Sequence, residues 1–363
     1  MDGRCFRDLV SERQRGIGPA LLRTLLTVLE GPYFGMTSLR NFCYDTGILK
    51  THRLPIPIVS VGNLTLGGTG KSPMVAWLAR WFLEQNLRPG LISRGYGSLA
   101  GNEAAEGVND EYLELAFRLP MVPHRQNRDR VAAAMEFLTG KETRPVDVLV
   151  LDDAFQHRRI GRNLDIVLLD ASEPFGFDRI FPRGTLRESV AGLRRAGIVL
   201  LSRADLISAE EREGIRRRVS SLAPDAVWGE VVHRPKSLVS IDKTESDLVE
   251  IHGKRVLAFC GIGNPEAFRK TLEFLGAEVA ELTAFPDHYR YTPDDLNRLE
   301  AAARQLDVEA VLCTMKDLVK IDRPTLADLP IRAVSIDIEF LAGENFVRKR
   351  LSAIVDDEIV NRP

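Results

Sequence analysis

The stretch that most constrains this chain is Val59-Ser60-Val61-Gly62-Asn63-Leu64-Thr65-Leu66-Gly67-Gly68-Thr69-Gly70-Lys71-Ser72-Pro73. The apolar run Ile56 to Val61 reads as a buried strand, and a helical pattern follows from about Pro73 to Glu84. Strand, glycine turn, Lys-Ser and helix in that order form the phosphate-binding arrangement of nucleoside triphosphatases. Glycines let backbone N–H groups turn inward around an anion, and the helix N-terminus adds free N–H groups and positive potential. The usual first glycine of the pattern is Thr65 here. A glycine-rich turn followed by an ordinary surface lysine would have the same composition, but the flanking strand and helix favour phosphate binding. On that reading Thr65, Leu66, Gly67, Gly68, Thr69 and Gly70 line the anion. Lys71 reaches the β- and γ-phosphates, and the Ser72 hydroxyl faces Mg²⁺. Pro73 suits the first helical turn.

Strand and helix patterns alternate after this loop. Strands are expected at Pro89 to Ser93, Val146 to Leu151, Leu164 to Leu169 and Ile198 to Leu201, with a short one between Pro120 and Pro123. Helices are expected from Tyr112 to Arg118, from Asn127 to Leu138 and from Ala209 to Leu222. Such alternation implies a doubly wound parallel sheet, which binds ligands at the carboxyl ends of its strands. Three polar groups fall there: the phosphate loop, Ser93-Arg94-Gly95-Tyr96 and Asp152-Asp153. An acid in the position of Asp152-Asp153 helps hold Mg²⁺ in phosphate-loop proteins. Because neighbouring side chains on a strand point to opposite faces, only one of the two faces a metal unless the chain turns sharply. Capping of the next turn by both is the alternative. After the polar stretch Lys236 to Glu250 a second α/β pattern begins, with strands at Arg255 to Cys260, Val279 to Phe285, Ala310 to Cys313 and Ile331 to Ile336. It holds an incomplete dinucleotide-like Gly261-Ile262-Gly263 and, before a helix, the loop Phe285 to Thr292 with His288.

Composition excludes some classes. With 49 basic and 51 acidic residues there is no global positive field for nucleic acid. Cys5, Cys43, Cys260 and Cys313 lack metal-site spacing, which suits a reducing cytoplasm. No apolar run reaches the ~18–20 residues of a spanning helix, and no signal-peptide pattern opens the chain. The first fifteen positions are charged and read as loose. Ile17 to Leu29 is then an amphipathic helix, with Leu21, Leu25, Val28 and Leu29 on one face and Leu22 and Leu26 widening it. Gly31-Pro32 is expected to stop it. Such a helix, with arginines before it, could lie in a membrane interface or pack on the protein's own core, and composition does not separate the two.

Several motifs converge on one family. The phosphate loop resembles that of the tetraacyldisaccharide 4′-kinases of lipid A synthesis. The same resemblance extends to Ser93-Arg94-Gly95-Tyr96, Arg128-Asp129-Arg130-Val131-Ala132-Ala133, Leu151-Asp152-Asp153-Ala154-Phe155-Gln156-His157, Leu186-Arg187-Glu188, Phe285-Pro286-Asp287-His288 and Thr314-Met315-Lys316-Asp317. The chain departs from the family in having Asn109-Asp110-Glu111-Tyr112 for Gly-Asp-Glu-Pro, Ala154 for Gly, Met315 for Glu and Ser72 for Thr. The resemblance implies an α/β fold of the P-loop NTPase type, a doubly wound parallel sheet with a second, smaller α/β lobe and an N-terminal amphipathic helix. It implies a membrane-associating segment over 1–50, a P-loop kinase core over 51–235 and the second lobe over 236–363. The implied activity is transfer of the ATP γ-phosphate, with Mg²⁺, to the 4′-hydroxyl of the lipid A disaccharide 1-phosphate, giving lipid IVA. The implied location is peripheral, on the cytoplasmic face of the inner membrane.

By the same resemblance Asp110 is the base for the sugar hydroxyl, and Lys71, Asp153 and His288 join it in catalysis. Ser72, Asp152, Asp153, Glu188 and His288 surround the metal, while Arg94, Arg130 and Arg187 meet phosphate groups. Two other classes are weighed against this one. A GTPase-like metal or cofactor insertion protein would use Ser202-Arg203-Ala204-Asp205 for guanine, but that motif lacks the expected Asn and Lys, and Phe155 stands where a switch glycine belongs. A nucleotide-binding membrane scaffold without turnover would not need Asp110, Asp152-Asp153 and His288 together.

Overall fold

A computed structural model of the chain describes residues 3–95, 110–140 and 144–356. Tyr96 and the loop expected to run to Asn109 lie outside the described residues. The chain divides into two compact units. The first comprises Met1–Tyr96, Met121–His233 and Ile338–Pro363; the second comprises Gly97–Pro120 and Arg234–Asp337.

The strands of the first unit are β1 (Ile58–Asn63), β2 (Pro89–Ser93), β3 (His124–Gln126), β4 (Val148–Asp152), β5 (Leu164–Asp170), β6 (Ile198–Ser202) and, as far as His233, β7 (Val227–Ser240). They lie in the order β7-β6-β5-β1-β4-β2-β3, and every neighbouring pair is parallel. All residues of β1, β2, β4, β5 and β6 are buried, as continuous apolar strands between two helical layers should be. The order steps outward from β1 in both directions, which puts the loop after β1 at the switch point where doubly wound sheets bind ligands. The expected strand at Pro120 to Pro123 is displaced to His124–Gln126. Prolines cannot donate to a ladder, and this strand pairs with β2. The helix expected from Asn127 starts at Arg130, because the Asp129 side chain caps it by accepting from the Val131 and Ala132 N–H groups at 3.0 and 3.2 Å.

The N-terminal region differs most from expectation. Gly3–Val10 is helical, and Leu9 and Val10 are buried. The next helix does not stop at Gly31-Pro32 but runs through it, Ile17–Asp45. An interior proline costs a helix ~3 kcal/mol, yet tertiary contacts hold both sides of this one. Glu30 Oε1 accepts from the Ile180 N–H at 2.7 Å, the Tyr33 hydroxyl donates to the Arg187 carbonyl at 3.3 Å, and Asn41 Nδ2 donates to Glu188 at 2.7 Å.

The second unit contains β8 (Glu245–Ser246), β9 (Arg255–Cys260), β10 (Glu278–Ala284), β11 (Ala310–Thr314), β12 (Thr325–Leu326) and, as far as Asp337, β13 (Leu329–Ala342). Strands β10, β9, β11 and β13 are parallel in that order, and β12 pairs antiparallel with β13. Two expected boundaries are corrected. The division expected after residue 235 falls after His233, but the second unit also takes in Gly97–Pro120, and the chain returns to the first unit at Ile338. The helix Asp110–Arg118 buries Leu115, and Arg118 donates to the Ile336 carbonyl at 2.9 Å. The returning helix Glu344–Val355 buries Val347 and Leu351, and Arg348 lies over the Trp77 ring at 5.3 Å.

Candidate active site

The phosphate loop forms where β1 ends. Gly67 and Gly70 have φ of 111° and 85°, in the region that favours glycine. At Gly70 a Cβ would also overlap the imidazole of His233. Leu66, Gly67 and Gly68 are exposed, whereas Thr65, Thr69, Lys71 and Ser72 are buried. Gly70 caps the helix Lys71–Glu84 without a side chain, so the first-turn N–H groups face the loop. The Arg203 guanidinium, paired with Asp170, donates to the Gly68 carbonyl at 2.9 Å. The segment Ser202 to Asp205 therefore braces the loop. The Thr69 hydroxyl is buried without a partner among the described residues. This orphan hydroxyl, the glycine cradle and the buried Lys71 fit a bound phosphate.

Asp152 ends β4, paired with Val61 of β1, and Asp153 turns the chain with a φ of +47°. The Asp153 carboxylate accepts from Arg187 Nη1 at 2.8 and 3.0 Å and lies 3.6 Å from Lys71 Nζ. Burial would raise its pKa, but Lys71, Arg187 and Arg130 more than offset this and hold it below the ordinary carboxylate value. Arg130, 3% exposed, donates through Nη2 to the carbonyls of both Asp152 and Asp153 at 2.8 Å. It positions the acidic turn. Arg94 is exposed, and its carbonyl accepts from Gln126.

Glu188 also departs from its expected place among the metal ligands. Its carboxylate is 1% exposed and accepts from Arg195 at 2.8 Å, Gln156 at 3.1 Å and Asn41 at 2.7 Å. Oxygens engaged by three protein donors make it a positioning group. Among the described residues no cluster of three or more His, Cys, Asp or Glu could hold a metal. Mg²⁺ keeps several waters and takes one or two carboxylates besides substrate phosphates. Ser72, Asp152 and Asp153 fit that requirement. His157 is pushed down to about 4 by burial and by Arg130 and Arg162, so it is neutral at pH 7.

His288 belongs to the second unit, where its partner is Asp110. His288 Nδ1 and Lys320 Nζ stand 3.1 and 3.2 Å from the same oxygen, Asp110 Oδ2. Lys320 Nζ is also 3.4 Å from Asp317 Oδ1. Asp317 is wholly buried and accepts from the Gly261 N–H at 3.0 Å, the Tyr291 hydroxyl at 2.9 Å and the Thr314 hydroxyl at 2.6 Å. Gly261 therefore serves this close approach. Burial raises the Asp110 pKa, but His288 and Lys320 outweigh it and the net shift is downward. The hydrogen bond to Asp110 raises the His288 pKa against the opposing effect of burial.

The family model of the tetraacyldisaccharide-1-P 4′-kinases (LpxK) matches residues 22–356. The chain is 38% identical to the tetraacyldisaccharide 4′-kinase of Anaeromyxobacter dehalogenans strain 2CP-C over 359 residues, covering 94% of this chain and 93% of the relative. It is 38% identical to that of Syntrophus aciditrophicus, covering 88% and 89%. The chain belongs to the tetraacyldisaccharide 4′-kinase family. Its fold is similar to the crystal structure of LpxK from Aquifex aeolicus in complex with ATP, with a TM-score of 0.70 and 28% identity over 92% of this chain and 99% of that one. Family membership removes the GTPase-like alternative. Of the residues that act in this kinase's candidate site, sequence reading missed Lys320, Arg195 and Asn41. The signal for Lys320 is its spacing of about one helical turn from Asp317, the last residue of the motif Thr314 to Asp317.

Proposed function

We propose that this kinase transfers the γ-phosphoryl group of ATP to the 4′-hydroxyl of tetraacyldisaccharide 1-phosphate, giving lipid IVA. In the first unit the loop N–H groups and Lys71 bind the β- and γ-phosphates and stabilise charge on the transferring group. Arg187 is the cation at hand for the same charge. When bound, Mg²⁺ neutralises the phosphate oxygens, and Ser72 with Asp152 and Asp153 would hold it. In the second unit Asp110 takes the proton of the 4′-hydroxyl as its oxygen bonds to the γ-phosphorus and the bond to ADP breaks. His288 and Lys320 orient Asp110 and keep it ionised.

The observation that carries the reading is the Asp110–His288 pair at 3.1 Å. A phosphate loop alone would serve hydrolysis or switching; a charge-paired carboxylate with a histidine serves a hydroxyl acceptor. The test is incubation with γ-labelled ATP and tetraacyldisaccharide 1-phosphate. A bisphosphorylated lipid is expected, and its absence alongside intact ATP binding would sink the assignment.

The acceptor carries acyl chains, so the enzyme works where they are. Along the helix Ile17–Asp45, Ile17, Leu21, Leu25, Val28, Met36, Leu39 and Phe42 are exposed, between 54% and 82%. At 100° per residue they form one stripe over seven turns. A stripe this long supports seating on the cytoplasmic face of the inner membrane, with Arg13 and Arg15 facing anionic headgroups. No described helix is long and apolar enough to cross a bilayer, which is in keeping with peripheral binding.

A further inference from the structure

We propose that Glu188 is a positioning residue through which the helix Ile17–Asp45 sets the phosphate loop, so that this helix governs nucleotide affinity as well as lipid contact; the lipid half rests on the membrane reading above. The segment Thr185 to Glu188 runs beside the start of the loop. The Leu66 N–H donates to the Thr185 carbonyl and the Arg187 N–H to the Leu64 carbonyl, each at 2.7 Å. Successive side chains of an extended segment point to opposite sides. Arg187 accordingly grips Asp153, and Glu188 reaches Asn41 on the helix at 2.7 Å.

From Glu188 two arms lead into β1. Gln156 Nε2 donates both to Glu188 Oε1 at 3.1 Å and to the carbonyl of Asn63, the last residue of β1, at 2.9 Å. Arg195 pairs with Glu188 and stacks at 4.4 Å over the ring of Phe155. The Phe155 backbone presses on Gly62, where an added Cβ would stand 2.8 Å from the Phe155 nitrogen. Asn63 and Gly62 are the residues from which the loop springs. Gly192 leaves room for the carboxylate, since a Cβ there would stand 3.0 Å from Glu188 Oε2. A buried carboxylate that loses a donor has no water to replace it, so a disturbance at Asn41 passes to its other partners.

The test exchanges donor and acceptor. Asn41→Asp sets a second carboxylate against Glu188 at nearly constant volume. The Kd for ATP with Mg²⁺, measured by calorimetry without acceptor, is expected to rise about fivefold to tenfold, and KM for ATP to follow. Sedimentation with phosphatidylethanolamine–phosphatidylglycerol vesicles should not change, because Asn41 lies off the exposed stripe. Adding Glu188→Gln restores the hydrogen bond in reverse, and Gln Oε1 still accepts from Arg195 and Gln156. The double variant should return to within about twofold of the wild-type Kd.

A network that only stabilises the fold would lower the melting temperature of the single variant without moving Kd, and that result overturns the proposal. So does a folded double variant that binds ATP as weakly as Asn41→Asp. If the single variant does not fold, Asn41→Ala, which removes the donor without adding charge, takes its place: a raised Kd for ATP is expected, and an unchanged Kd overturns the proposal. Wild-type protein that ignores vesicles defeats the membrane reading and leaves the Kd comparison standing. Wild-type protein that does not bind ATP defeats the proposed function itself.

Discussion

Arg187 holds Asp153 through both carboxylate oxygens, at 2.8 and 3.0 Å, while Lys71 Nζ stands 3.6 Å from one of them. Two cations face one carboxylate beside a helix N-terminus, so the site carries excess positive charge toward a polyphosphate. Arg130 fixes the turn beneath, so the carboxylate cannot swing with its backbone.

Replacing Lys71 with Ala is expected to lower kcat by ~10²–10³-fold, the usual cost of removing one donor to a developing charge. Steady-state kinetics with saturating acceptor check it. A variant that turns over at the wild-type rate would remove Lys71 from the reaction.

Asp110→Asn is expected to reduce kcat by ~10²–10⁴-fold, as for loss of a positioned base, with KM for ATP nearly unchanged. Lys320→Met tests the supporting shell. Lys320 helps hold the Asp110 pKa down, so its removal should move the acid limb of the pH–rate profile upward. An acid limb that stays put would take Lys320 out of this role.

Much of this arrangement was legible in the sequence, for a local reason. Strand, glycine turn and helix follow one another within a short span, and fully buried strands announce themselves as apolar runs. Partnerships across the chain were not legible. Glu188 looked like a metal ligand until Asn41, 147 residues away, and Arg195 took its oxygens. Lys320 is 210 residues from Asp110, and no local pattern joins them. Pro32 carried the local signal of a helix end, and Glu30, Tyr33 and Asn41 override it through tertiary contacts. The return of Ile338 onward to the first unit likewise depends on packing around Trp77 and Val347.

The His288–Asp110 pair should leave a signature in stability. The His288 pKa is raised from 6.5, first by the hydrogen bond to Asp110. Its contribution is thus fully present below pH 6.5 and lost as pH rises through the higher folded value. The melting-temperature difference between wild type and His288→Asn should be larger at pH 6 than at pH 9. The opposite order, or no change, would mean the pair does not form in solution.

Gly70→Ala addresses the loop backbone. Its φ of 85° costs a residue with a Cβ roughly 1–2 kcal/mol, and the new methyl would overlap the His233 ring. Titration should show ATP binding weakened by at least about tenfold, equal to ~1.4 kcal/mol. His233→Ala in the same chain removes the overlap but not the strained φ, so partial recovery is expected. No recovery would assign the whole effect to the backbone.

The final prediction concerns the apolar stripe. Leu21, Leu25 and Val28 are 66%, 54% and 67% exposed, whereas Leu22 and Leu26, on the neighbouring face, are half-buried. Changing Leu21, Leu25 and Val28 together to Glu places three charges where acyl chains would lie, and exposed substitutions of this kind usually shift stability by no more than about 0.5 kcal/mol each. Vesicle sedimentation should fall by about tenfold or more, since each charge costs more than the apolar contact it replaces. Activity on the lipid acceptor should fall in parallel, while ATP affinity and melting temperature hold. Leu22→Glu with Leu26→Glu is the contrasting pair: it should lower the melting temperature, because these side chains are half-buried. If the stripe variant still sediments like wild type, or if both variants unfold alike, the exposed face is not a lipid-binding surface and the acceptor reaches the enzyme by another route.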